Sequence, residues 1–191
     1  MKKLLLLAGL LVVAGSAFAR KEISTSDEGT VDVYARVLHN LSIETKPLDF
    51  GVIGIGDDVT VPYNDKNAGE FVINAAKNSK IKLTIKDDTE GGENYSFSGQ
   101  GSQIRLERNG NTQGKNSLND NLHPVIKITD NNGTLLQSNT VSIVSGSNLH
   151  LVDKLVYKVH GTLKTSNAAQ NTGEYKGAIK VTAKYDDWPT K

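Results

Sequence analysis

Gly29-Thr30-Val31-Asp32-Val33-Tyr34-Ala35-Arg36-Val37 is apolar at every second position. In an extended backbone Val31, Val33, Ala35 and Val37 project from one face, and Thr30, Asp32 and Arg36 from the other. Tyr34, on the second face, can lie flat with its hydroxyl in water. The segment reads as a strand that needs a sheet. The residues ahead of it, Arg20 to Glu28, are polar and aperiodic, which predicts a strand carried on a mobile N-terminal arm. Such a strand can pair with its own domain or with a neighbour's.

Upstream lies a leader. Met1-Lys2-Lys3 is a basic start, Leu4 to Gly15 an apolar run, and Ala17-Phe18-Ala19 a small-x-small cleavage pattern. The apolar run is shorter than the roughly 20 residues a membrane helix needs. Processing after Ala19 is therefore expected, with export through the general secretory pathway. No cysteine stands near the cleavage point, which closes the lipoprotein route. Nothing later in the chain is long and apolar enough to span a bilayer as a helix.

Removal of residues 1–19 leaves 172 of the 191 residues, enough for one domain with a core. The leader holds two of the 22 basic residues and none of the 21 acidic ones, so the mature net charge is −1. That balance gives no reason to expect a nucleic-acid or anionic-membrane partner. The absence of cysteine excludes disulfides, thiolate metal sites and thiol nucleophiles. Packing and sheet hydrogen bonds must hold the fold. Abundant Gly and Asn with few aromatics suit an all-β chain rich in turns.

Strand signals recur along the chain. They fall at Leu41–Ile43, Leu48–Ile53 behind Pro47, Val59–Val61, Glu70–Asn74, Tyr95–Phe97, Ile104–Glu107, Val125–Ile128, Leu135–Gln137, Val141–Val144, Leu155–Leu163 and Tyr175–Tyr185. Lys80–Lys86 alternates cleanly, with Ile81, Leu83 and Ile85 inward and lysines outward. Phe50, Phe71, Tyr157, Val159, Ile179 and Val181 join those three as the expected core. Asn109–Asn121 reads as a polar loop, Asp130-Asn131-Asn132-Gly133 as a tight turn, and Asn148–Lys154 as the one place for a helical turn. Short strands with frequent turns predict an antiparallel sandwich or barrel.

Signatures of catalysis are missing. Gly110-Asn111-Thr112-Gln113-Gly114-Lys115-Asn116 is one residue short of a phosphate loop and ends in Asn where Mg²⁺ needs a hydroxyl. Gly54-Ile55-Gly56 lacks a third glycine and reads as a turn. No Gly-x-Ser-x-Gly or His-Glu-x-x-His occurs. His39, His123, His150 and His160 are dispersed. Asp57-Asp58, Asp87-Asp88 and Asp130 lack the spaced carboxylates of a Ca²⁺ loop and suit turns. The sequons at Asn40, Asn94 and Asn132 matter only in a host that glycosylates. No catalytic residue, metal or cofactor is expected.

The order of these features resembles a family of secreted bacterial fimbria-like domains and is similar to pilins of the alternate chaperone–usher type. At the N-terminal end the likeness rests on the leader, Val31–Val37, Leu41-Ser42-Ile43 and Leu48-Asp49-Phe50-Gly51-Val52-Ile53. At the C-terminal end it rests on Val159-His160-Gly161-Thr162-Leu163, Gly173-Glu174-Tyr175-Lys176-Gly177 and Ile179–Tyr185. The middle half of the mature chain carries none of it, and Asp186–Lys191 runs past where such domains usually stop.

The resemblance implies an immunoglobulin-like antiparallel β-sandwich that lacks one strand, with its groove filled by the N-terminal arm of the next subunit. The division it suggests is a signal peptide at 1–19, an arm at 20–38 and a sandwich at 39–191. Val31, Val33, Ala35 and Val37 are then the donor-strand residues at the subunit interface. The implied partners are identical or related subunits, a periplasmic chaperone and an outer-membrane usher, with the product passing through the periplasm to a surface fimbrium that serves adhesion. A second reading is a monomeric secreted or surface binding module, for example carbohydrate-binding, with the same arm packed in its own sheet. Tyr and Trp are too few and scattered to mark a sugar platform. Lysine-studded strand faces argue against an outer-membrane barrel.

Overall fold

Twelve strands and no helix form among the residues that the computed structural model describes, 40–111, 117–143, 152–165 and 169–186. All belong to one unit, Val37–Lys191. The strands are β1 (Ser42–Lys46), β2 (Asp58–Val61), β3 (Gly69–Ala76), β4 (Lys80–Asp87), β5 (Ser102–Gln103), β6 (Leu106–Arg108), β7 (Asn121–Leu122), β8 (Val125–Asp130), β9 (Thr140–Ser142), β10 (Val152–Lys164), β11 (Tyr175–Lys176) and β12 (Ile179–Tyr185).

Every pairing is antiparallel. The large sheet runs β1-β3-β10-β8-β5, with β2 beside the C-terminal part of β10. β10 is long enough to take two partners in succession on one side: Val152–Val159 pairs with β3 and Gly161–Lys164 with β2. The second sheet is β12-β4-β9, and a small third sheet is β11-β6-β7. The architecture of this body is the expected all-β antiparallel sandwich.

Period-two patterning explains the core between the sheets. Ile81, Leu83 and Ile85 of β4 are at most 1% exposed, and the alternate residues Lys80, Lys82, Thr84 and Lys86 are exposed. From the large sheet Phe71, Ile73 and Ala75 of β3, Ile126 and Ile128 of β8, and Tyr157 and Val159 of β10 complete the same cluster. Phe71 and Tyr157 stack at 5.1 Å between ring centroids, a cross-strand pair set by the register Tyr157↔Phe71. Burial raises the Tyr157 hydroxyl pKa to about 12, with Asp130 adding to the shift.

Several segments differ from the sequence reading. Leu48–Ile53 forms no strand: Pro47 ends β1, Leu48 then crosses close above Gly69, and Val52 stands fully exposed. Phe50 is accordingly half-buried rather than core. Tyr95 is buried, yet only Asn94 makes a bridge, to Lys86. Leu135 likewise makes a single bridge, to Thr129. The expected strand Tyr175–Tyr185 is two strands in two sheets. Gly177 is the switch point, because a side chain there would run into the Arg105 carbonyl. Val152–Lys154 is strand rather than helical turn, and residues 148–151 lie outside the described residues.

The turn at Asp130–Gly133 follows its sequence. The Asp130 carboxylate accepts from the amides of Asn132 (2.8 Å) and Thr134 (2.9 Å), and Gly133 has φ +83°. Asp87 acts similarly, accepting from the Thr89 amide and hydroxyl and from the Arg105 amide.

Candidate functional site: an open sheet edge

β12 is an edge strand whose hydrogen bonding can be read residue by residue. The Asp186 amide donates to the Lys80 carbonyl and the Asp88 amide to the Ala178 carbonyl. In an antiparallel pair the bonded positions recur every second residue, so Ala178, Lys180, Thr182, Lys184 and Asp186 are those that exchange bonds with β4. The other face of β4 agrees: Leu83 donates to Asn139 and Ile85 accepts from Tyr95, both away from β12. Ile179, Val181 and Ala183 therefore direct their N–H and C=O groups outward. Among the described residues no second strand pairs with β12.

The same residues turn their side chains inward. Ile179, Val181, Ala183 and Tyr185 pack against the core, but all four are only half-buried. One strand away, Ile81, Leu83 and Ile85 are sealed. Ile179 and Val181 were expected to be core, and they are half-buried, facing inward on a strand whose outer flank no described strand covers. Outward backbone groups at Ile179, Val181 and Ala183 that no described strand pairs, with half-buried apolar side chains at the same positions, are the features of a template for an added strand.

The other edges offer less. β5 and β9 are two and three residues long. β1 carries Ser42, Glu44, Thr45 and Lys46 exposed, with Ile43 alone half-buried, the polar pattern that blunts an edge.

Two contacts orient the open strand in the body. The Tyr185 hydroxyl accepts from the Ala76 amide at 2.9 Å, just past Asn74, where the pairing with Ser42 begins β1. The C-terminal end of β12 thus lies where the chain enters β1. At its other end Ile179 lies with Ile85, Tyr95, Ile104 and Ile126. Ile126 is opposite Gly161, which faces Val61 of β2, so this end of β12 lies at the far end of β1.

The expected donor-strand residues Val31, Val33, Ala35 and Val37 lie outside the described residues, as do the expected leader 1–19, the rest of 20–38 and the tail beyond Asp186. So do residues 112–116 of the phosphate-loop-like stretch, and His39 and His150. His123 is exposed on its loop. His160 lies on the outer face of the large sheet against the Tyr63 ring, 6.2 Å between centroids. Burial, and then the charge of Lys127, hold its pKa below the usual histidine range. Among the described residues no group of three or more His, Cys, Asp or Glu is placed to hold a metal. No helix there is long and apolar enough to cross a membrane.

A polar cluster escaped sequence reading. Asp120, almost fully buried, accepts from Asn171 Nδ2 (2.8 Å), Arg108 Nε and Ser117 Oγ (3.0 Å). The Asn171 hydrogen bond first, then Arg108, hold its carboxyl below the ordinary range. Gln170 Nε2 donates to the Asn119 carbonyl and to the Tyr175 hydroxyl. These bonds join the loops on either side of β7 and β11 across about fifty positions of sequence, a separation no local pattern announces. The groups satisfy one another, which makes the cluster a clasp between loops.

No protein-family model matches the chain, and no curated protein matches it.

Proposed function

We propose that this chain is a structural, pilin-like subunit of a bacterial surface fibre that assembles by strand donation and serves adhesion. The open edge of β12 carries the reading: Ile179, Val181 and Ala183 combine outward backbone groups with half-covered apolar side chains. The alternation of Val31, Val33, Ala35 and Val37 is what such an edge would accept. Burying each of the three valines would contribute about 1.5–3 kcal/mol, with ladder bonds fixing register and direction.

The direction follows from where the chain enters the body. The Tyr185 end of β12 is beside the start of β1, from which the receiving copy's own arm departs. An incoming arm whose attached body must avoid that end lies with Val37 near Ile179, antiparallel to β12. Repetition of this step gives a head-to-tail string. In this reading the product is exported, passes the periplasm with chaperone and usher as partners, and acts at the surface with no catalytic role and no cofactor.

The test is the mature chain with Val31→Asp and Val33→Asp. It is expected to be secreted yet unable to form SDS-resistant multimers, since a carboxylate would have to enter an apolar slot. Multimers that persist in this variant refute donation by the arm. A wild type that is a stable monomer with the arm seated on its own β12 supports the monomeric binding module instead.

A further inference from the structure

On the face of the second sheet away from the core, Lys82, Thr84 and Lys86 of the central strand β4 stand beside Lys180, Thr182 and Lys184 of β12. The register sets like against like: Lys82 is opposite Lys184 and Lys86 opposite Lys180, with Thr84 opposite Thr182 between them. Bonded antiparallel partners lie about 5.5 Å apart between Cα atoms, and four residues of strand separate the two lysine pairs by about 13 Å. All four lysines are exposed, and none makes an ion pair among the described residues. Carboxylates stand only at the ends of this block, on Asp88, bonded to Ala178, and on Asp186, bonded to Lys80.

Solubility alone does not ask for this arrangement. Like charges directly opposite one another destabilise a sheet, and the outer face of the large sheet avoids them: Lys158 pairs with Glu70, and Glu70 is opposite Lys46. The whole sequence has a formal net charge of only +1, so the excess on the second sheet is local. A partner carrying repeated negative charge would relieve the repulsion.

The chemistry of the face narrows that partner. Lysine supplies compact point charges with rotatable donors, whereas planar carboxylate and phosphate groups are matched by the arginine fork. The outward positions of β4 and β12 are lysine and threonine and nothing else. They hold no ring on which a nucleic-acid base could stack and no apolar side chain that could enter a bilayer. The threonine hydroxyls between the lysine pairs can both donate to and accept from sugar hydroxyls.

We propose that this face of the β12-β4-β9 sheet binds a linear sulfated polysaccharide, with Lys82 and Lys184 holding one sulfate and Lys86 and Lys180 another further along the chain. The inference does not rest on strand donation, because the face belongs to a single body.

Heparin is the probe, and the mature chain should be retained on it and released as salt is raised. Lys82→Gln with Lys86→Gln alters only the central strand and leaves the β12 edge as it is. An exposed charge pair is worth up to roughly fivefold in affinity, so this variant should bind heparin roughly tenfold more weakly. Lys180→Gln with Lys184→Gln should lose a similar amount. Lys46→Gln with Lys154→Gln removes the same charge from the large sheet and should bind as the wild type does. The urea midpoint of the β4 variant should match or exceed that of the wild type, since repulsion is removed, which separates lost binding from lost folding. A wild type that heparin does not retain, or an equal loss in the large-sheet control, overturns the proposal. Undiminished binding to desulfated heparin, which keeps its carboxylates, overturns recognition of sulfate. Binding as tight to a single-stranded oligonucleotide or to phosphatidylglycerol vesicles overturns the polysaccharide as the partner.

Discussion

Two neighbouring proline substitutions in β12 separate its two hydrogen-bonding directions. Thr182 exchanges bonds with Thr84 of β4, whereas the Ala183 amide points out of the sheet. Proline removes one donor and fills its place with ring carbons, so Thr182→Pro deletes a ladder bond inside the sheet. The loss is about 1 kcal/mol for the bond, rising to about 3 kcal/mol with the steric clash of the ring against β4. Ala183→Pro leaves every bond to β4 in place, and edge strands tolerate proline on their solvent side. Its effect on the folded body should stay below about 1 kcal/mol. Strand addition suffers the reverse: Ala183→Pro takes one outward donor and obstructs the incoming backbone. One lost ladder bond of about 1 kcal/mol weakens association roughly fivefold, and the obstruction adds to it. Urea unfolding of the two mature variants gives the first comparison, and unboiled gel electrophoresis gives the second. Ala183→Pro should unfold near the wild-type midpoint and fail to multimerise, while Thr182→Pro should unfold early. Equal midpoints would refute the bonding parity assigned to β12. Wild-type multimers in Ala183→Pro would refute β12 as the acceptor edge.

Other expectations are simpler. Leu83→Ala, at the centre of β4, should lower stability by about 2–5 kcal/mol through lost burial and a cavity, read as a fall in melting temperature, and an unchanged midpoint would place the core elsewhere. Thr165→Val removes the hydroxyl that ties Gly54 and Asp57 and should cost about 1–3 kcal/mol while raising hydrogen exchange at Gly56. The Asp120 pKa is lowered in the fold, so the stability it contributes is present above the ordinary carboxylate pKa and is lost as pH falls through the folded value. Asp120→Asn should flatten the acid limb of the stability curve below about pH 4. His160 is also lowered. Its neutral form is favoured on folding, so stability should decline as pH falls below about 6.5, and His160→Gln should remove that decline.

Local pattern and tertiary context divide this protein sharply. The Lys80–Asp87 alternation settles which side chains of β4 face inward, because a strand places successive residues on opposite faces whatever lies around it. The same rule gives the facing of Tyr157, Val159 and Leu163 and the choice of Ile179 and Val181 as inward residues. Asp130–Gly133 is legible too, since its turn is made within five residues. Depth is another matter. Ile179 and Val181 face inward but remain half-buried because no described strand covers their flank, and coverage depends on neighbours that the alternation does not name. Leu48–Ile53 has strand-like residues without a strand, because a strand needs a hydrogen-bonded partner and β3 begins at Gly69, which Leu48 has already crossed, leaving the Asp49 amide to bond to Asn67 in the loop before it. The Gly177 switch between sheets and the Asp120 clasp were decided by approaches between segments distant in sequence. For the candidate interface, the chain alone determined the donor-like alternation from Val31 to Val37. Only the folded body decided which edge carries outward bonding groups that no described strand takes up, since hydrogen-bond direction at β12 follows from its register with β4.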